Sequence, residues 1–244
     1  MCSFPASLLN LGLVEGAKGD AFGPAAIWAA ASIPNKCIIL LLIALFLFQI
    51  YLVIERATMY AASASASRKF LKLFMDTLRQ GDFEAAKRAA ATHQRSHIAL
   101  VLKHGLDIYQ YEKQLQATHE NHDVINPVER AIERGTSEVT ELLKKGMGTL
   151  ATIASASPFI GLLGTVIGII KVFSDLKTKG AGDINALAGS IGEALATTAL
   201  GLVVAIPAVW FYNILTNKQD QVITSINNAA SQMIDEFIRR ESRA

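Results

Sequence analysis

Residues 150–170 read LATIASASPFIGLLGTVIGII, 21 positions without a charged side chain. A helix that crosses a bilayer needs about 20 mostly apolar residues, so this stretch is long enough to span one. Working outward, residues 37–54 read CIILLLIALFLFQIYLVI, again uncharged, with Asn35 and Lys36 on one flank and Glu55 and Arg56 on the other. Residues 184–217 carry a single charge, Glu193, in a run that closes on GLVVAIPAVWFYNILTN. Three such runs predict an all-α integral membrane protein with three transmembrane helices. The competing reading, three buried helices of a soluble core, fits poorly with the strongly polar segments between the runs.

Composition points the same way. Hydrophobic residues make up 51% and aromatics only 7%, so the excess is aliphatic and alanine-rich, which excludes a disordered chain. Cys2 and Cys37 lie far apart and Cys37 opens an apolar run, which argues against a disulfide scaffold. A net charge of +2 without a block of like charges gives no reason to expect nucleic acid. The first run is preceded by 36 residues and separated by Glu55 and Arg56 from the small-residue stretch AASASAS at 61–67, so it is expected to stay as an anchor rather than be cleaved.

The chain therefore divides into an outward-facing N-terminal segment (1–35), a first span (36–56), a cytoplasmic helical domain (57–149), a second span (150–174), a short periplasmic loop (175–185), a third span (186–215) and a cytoplasmic C-terminal helix (216–244). Orientation follows from basic residues near the spans. Arg56, Arg68, Lys69, Lys72, Arg130, Arg134, Lys144, Lys145 and Lys218 outnumber Lys18, Lys36, Lys171, Lys177 and Lys179, which puts the 57–149 segment and the tail in the cytoplasm.

Residues 24–33, with Pro24 at a helix start and Pro34 beyond its end, read either as a small interfacial helix carrying Trp28 or as an irregular tail. Asp82 can cap a helix over 83–91. Ile98, Val101, Leu102 and Leu106 share one helical face, as do Ile226, Ala230, Met233 and Phe237. Only Gly135, Gly146 and Gly148 punctuate residues 128–156, so the second span is expected to continue as one helix into the cytoplasm, with the C-terminal helix packing against that stalk.

No phosphate-binding loop, G-x-S-x-G or H-E-x-x-H occurs, so no catalytic residue, cofactor or metal is expected, and no enzyme. His93 and His97, and His119 and His122, have helical ligand spacing. They lie in a polar segment without supporting carboxylates and read as solvated surface histidines. Glu193 differs. It is the one acidic residue inside the three runs, and an ionisable group within a membrane marks a functional site by default. It sits nine residues after Ile184, about 13 Å of helix rise, which is deep for a glutamate to snorkel to the outer interface. Its helical neighbours Gly189, Ser190, Ala196 and Thr197 are small, suiting a packed or water-lined face.

The second span has the same character. Ser155, Ser157, Gly161, Gly164, Thr165 and Gly168 give it small groups and hydroxyls, and Gly164-x-x-x-Gly168 permits close backbone approach. Pro158 and Pro207 each remove one backbone donor within a span. Ordinary helix packing explains the glycines but not a carboxylate in the same layer. One chain with a single acid cannot enclose a water path, whereas a closed ring of copies can.

The segments SPFIGLLGTVIGII (157–170) and IGEALATTALGLVVAIPAVWFYN (191–213) closely resemble the MotA/TolQ/ExbB proton-channel family, and the three-span layout resembles ExbB and TolQ rather than four-span MotA. The resemblance implies a homopentamer in the bacterial inner membrane. The pentamer surrounds a dimer of a single-span ExbD/TolR/MotB-like partner whose protonatable Asp carries the ion, and a TonB/TolA-like or motility effector lies beyond. Residue by residue, it places the ion pathway on Thr165, Glu193 and Thr198. Lys171 departs from the family's usual neutral residue.

The implied function is a proton-conducting stator that turns proton motive force into mechanical work on the cell envelope. A stator for gliding-type motility is the alternative, and a passive scaffold a weaker one. A secondary transporter is disfavoured because three spans show no internal repeat. Helical spacing and resemblance differ at one point. Thr197 shares the face of Glu193, whereas Thr198 stands roughly 140° away. The resemblance nevertheless selects Thr198 for ion transfer, which leaves Thr197 to packing.

Overall fold

The computed structural model describes residue 28 and residues 31–117, 123–179 and 184–242. Among these residues every regular element is a helix: α1 Ile33–Gln80, α2 Phe83–Thr92, α3 His97–Gln116, α4 Ile125–Lys144, α5 Met147–Lys179 and α6 Ile184–Glu241. Segments within α1, α5 and α6 are long and apolar enough to cross a membrane, as the three apolar runs predict. Most of the helix expected over 24–33 lies outside the described residues, as do His119 and His122.

The helices form two compact units, Met1–Phe46 with Ser155–Ala205 and Leu47–Ala154 with Ile206–Ala244. In the first, small residues of α5 and α6 face each other, while Phe159, Leu162, Leu163, Leu195 and Leu202 are exposed. Large apolar side chains on the outside and small ones on the inside are what helices in lipid require, because hydrocarbon gives the large ones no reason to hide.

The second unit has a water-type core. Phe70, Phe74 and Leu78 of α1 recur every four residues and are fully buried. So are Val101, Leu102 and Leu106 of α3 and Ile226, Met233 and Phe237 of α6. Tyr109 stacks on Phe237 with ring centroids 3.8 Å apart. Met233 and Ile132 close on Gly105, where a Cβ would come within 2.6 and 2.9 Å of them, so the α6 tail packs on α3 and α4 together. The ends are well capped. Asp82 accepts from the Ala85 N–H at 2.8 Å to start α2, and Ser96 accepts from the Ala99 N–H at 3.1 Å to start α3. Arg240 donates to the terminal carbonyls of Leu78 and Arg79 at 2.8 and 2.9 Å. Glu241 accepts from Lys113 at 2.8 Å and from the Tyr109 hydroxyl at 2.9 Å.

One expectation is corrected here. Residues 128–156 are not a single helix: α4 stops at Lys144 and α5 begins at Met147. Lys145 leaves the helical region with ψ 128°, and Gly146 takes φ 81°, a conformation that glycine adopts without steric cost. The carbonyls freed in the last turn of α4 find partners on α1. The Leu142 carbonyl accepts from Arg56 Nη1 at 3.3 Å, and the Leu143 carbonyl accepts from the Tyr60 hydroxyl at 3.2 Å.

Candidate functional site

The antiparallel seam of α5 and α6 is built from absence of side chain. A Cβ on Gly201 would lie 2.6 Å from the Ser157 carbonyl, and one on Gly161 only 2.9 Å from the Thr197 carbonyl and 3.0 Å from Thr198 Cα. One on Gly164 would collide with the Thr197 side chain, and one on Gly168 would come 2.6 Å from Ala194 Cβ. These are mostly backbone contacts that cannot yield, so the seam demands glycine. Ser157 and Thr197 are fully buried in it. The Thr197 hydroxyl donates to the Ala194 carbonyl at 2.7 Å. Gly201 belongs to this seam as much as Gly161, although the sequence reading passed over it.

One layer beyond Gly168 and Ala194 stands Glu193, 1% exposed. Its Oε1 accepts three hydrogen bonds: from the Ser32 N–H at 3.0 Å, the Ser32 hydroxyl at 3.3 Å and Asn35 Nδ2 at 2.6 Å. Its Oε2 accepts from Lys171 Nζ at 3.3 Å. Glu193 thus reaches the opening turn of α1, where a carboxylate also meets the favourable end of the helix dipole. It lies beside the polar residues that precede the first apolar run, not opposite the middle of it. Gly189, one turn earlier on α6, has open space where a Cβ would stand, so the packed face begins near Glu193 rather than before it.

The remaining predicted residues sort clearly. Thr165 sits beside Gly164, half-buried on the neighbouring strip of α5, and donates to the Leu162 carbonyl at 2.7 Å. The Thr198 hydroxyl is buried without a hydrogen-bond partner, whereas that of Thr197 is satisfied. Pro158 and Pro207 lie inside α5 and α6, which continue through them. The structure therefore brings Glu193, Thr197, Gly164 and Gly168 to one seam and leaves Thr165 on its flank.

Sequence reasoning missed three polar participants. Lys171 was noted as unusual but not as the partner of Glu193. Each lies about two and a half turns from the loop joining α5 and α6, and equal offsets across an antiparallel hairpin place residues opposite one another. Asn35 reads in the sequence only as a flank of the first run, and Ser32 only as part of the 24–33 stretch. Outside this site, Gln49 of the first run is 1% exposed with neither amide atom hydrogen-bonded. The described histidines need a correction as well. His93 Nδ1 donates to the Ala89 carbonyl at 2.9 Å, and its ring packs on Phe70. His97 pairs with the Ser63 hydroxyl at 2.6 Å, and burial holds its pKa below the usual histidine value. They are half-buried because α2 and α3 fold back on α1. Among the described residues, no three His, Cys, Asp or Glu side chains are placed to hold a metal ion.

Comparison with known proteins bears on this seam directly. The MotA/TolQ/ExbB proton channel family matches residues 94–228, a stretch that includes Thr165, Lys171, Glu193 and Thr198. The chain is similar to the biopolymer transport protein ExbB of Xanthomonas campestris pv. campestris, with 40% identity over 110 residues, 45% of this chain and 44% of that one. To ExbB of Salmonella typhimurium the identity is 35% over 119 residues, 49% of each chain. To ExbB of Pseudomonas putida it is 31% over 160 residues, 64% of this chain and 49% of that one. The chain thus aligns with about half the length of these curated relatives.

Proposed function

Because the chain belongs to the MotA/TolQ/ExbB proton channel family, we propose that it is the ring-forming subunit of a proton-driven energiser of envelope transport in the bacterial inner membrane. Five copies surround a dimer of a single-span partner that brings a protonatable Asp. The N-terminus and the loop between α5 and α6 face the periplasm, and α2, α3 and α4 lie in the cytoplasm with the end of α6. The name biopolymer transport protein carried by the relatives favours envelope transport over surface motility.

The observation that carries the proposal is a carboxylate, Glu193, buried at the end of a seam of glycine, alanine and threonine. Such a group exchanges a proton with the partner's Asp more readily than it serves as hydrophobic packing. The unpartnered Thr198 hydroxyl supports its role on the same path. Each proton crossing the membrane delivers about 2.3 kcal/mol per 100 mV, enough in succession to drive movement between ring and dimer.

The test is proton flux in vesicles containing the chain and its partner. Glu193→Gln should still give a pentamer by native mass spectrometry yet lose flux, and Thr198→Ala should lose more flux than Thr197→Ala. Full flux in Glu193→Gln, or a stable monomer, overturns the reading. Orientation is checked by cysteine labelling. Gln94→Cys, at an exposed position, should react only from the cytoplasm and Gly182→Cys only from outside.

A further inference from the structure

We propose that Lys171 is a tethered counter-ion that takes, on the Glu193 carboxylate, the place a metal cation would occupy, and so reserves this site for protons. The inference rests on the reading of Glu193 as an ion-pathway group. The two carboxylate oxygens are used differently. Oε1 is saturated by three donors from the start of α1, while Oε2 is met by the Lys171 ammonium at 3.3 Å. Beside them, Asn35 is fully buried and its Oδ1 has no hydrogen-bond partner, although its Nδ2 is bound to Glu193 at 2.6 Å.

Glu193 Oε2, Asn35 Oδ1 and the Ser32 hydroxyl are hard oxygen donors, the ligand type that unsolvated group-one and group-two cations seek. With the ammonium in place, a sodium ion must displace a like charge before it can gather them. A proton needs only one oxygen, and once it binds, the neutral carboxyl releases Lys171. The lysine can leave because its side chain is 33% exposed and its four-carbon stem is flexible. Charged side chains near these turns among the described residues include Asp175, one turn further along α5, and Lys36 of α1, whose ammonium lies 5.7 Å from the Trp28 ring centroid.

The experiment uses the purified full-length chain and an apolar carbodiimide, read by peptide mass spectrometry, with neither partner nor flux involved. The reagent activates the Glu193 carboxyl as an O-acylisourea. In the wild type the Lys171 amine is close enough to displace the urea and form an amide, giving a Lys171–Glu193 cross-linked peptide, and the yield should not depend on sodium. In Lys171→Met the activated group should rearrange to an N-acylurea on Glu193. N-acylurea labelling should then rise severalfold, because no neighbouring amine diverts the activated carboxyl into an amide, and sodium should now suppress it. Lys171→Arg should remain indifferent to sodium. Sodium protection of wild-type Glu193, or sodium-indifferent labelling of Lys171→Met, overturns the proposal. If Lys171→Met does not assemble, Lys171→Gln is read by the same criteria, and the wild-type sodium arm decides independently of both. Loss of the flux result for Glu193→Gln would instead remove the functional reading while leaving these labelling outcomes measurable.

Discussion

In the unit formed by Met1–Phe46 and Ser155–Ala205, the positions that meet are Gly161, Gly164, Gly168, Ala194, Thr197 and Gly201, while Phe159, Leu162 and Leu195 face outward. In the unit formed by Leu47–Ala154 and Ile206–Ala244, Phe70, Phe74, Leu102, Met233 and Phe237 are buried. One chain thus uses two opposite packing rules. Where hydrocarbon is the solvent, moving a leucine inward gains little, and cohesion comes from close backbone approach and a few polar contacts. Where water is the solvent, the same leucine or phenylalanine stabilises by leaving it. Each unit also shields an ionisable group in a way that suits its setting. Glu193 is wrapped by donors and a cation, and His97 sits in a small hydroxyl cluster beside an aromatic core.

This contrast breaks down if large-to-small changes act alike in both units. Phe237→Ala should cost about 3–5 kcal/mol through a cavity in the water-type core, seen as a large drop in thermal midpoint. Leu195→Ala, at an exposed position of the span, should leave that midpoint nearly unchanged. The converse change sharpens the contrast. Gly161→Val should cost about 1–3 kcal/mol or more, since its neighbours are backbone atoms, and should reduce the fraction of intact oligomer by native mass spectrometry. Gly148→Ala is the control, because a Cβ there meets nothing within 4 Å. A benign Gly161→Val would mean that the seam is held by something other than close approach.

The smallest effect expected is a pH dependence. His97 has a folded-state pKa below its unfolded value, so the unfolded chain takes up a proton that the folded chain resists. Its contribution to stability is complete above about pH 6.5 and falls as the pH drops toward the folded-state value. Melting followed between neutral and mildly acidic pH should show this decline, and His97→Gln should flatten it. An unchanged slope in that variant would assign the acid sensitivity to other groups.

The spans and the helix faces were legible because each is a local pattern: an uncharged run, or a three-to-four-residue recurrence such as Ile226, Ala230, Met233 and Phe237. The glycine stripe of α5 was legible for the same reason. What escaped was pairing at a distance. Glu193 and Lys171 belong to different helices, and Asn35 lies 158 positions from the carboxylate it binds. No periodicity links such residues, so Glu193 looked more isolated in the sequence than it is. The break at Gly146 escaped because three glycines punctuate that stretch and only one adopts a left-handed backbone. What selects it is the pair of carbonyl contacts supplied by Arg56 and Tyr60, which belong to another helix.

That break alters how the chain tolerates insertion and deletion. In an uninterrupted helix, one added residue rotates everything beyond it by about 100°, and each face beyond it would be turned away from its partner. Between Lys144 and Met147 this phase relation is lost, and the bearing of α4 is set by Arg56 and Tyr60, which hold its last turn from α1. Length changes confined to residues 145–146 therefore need not propagate as rotation, so α4 and α5 can change independently in lineages that keep Arg56 and Tyr60.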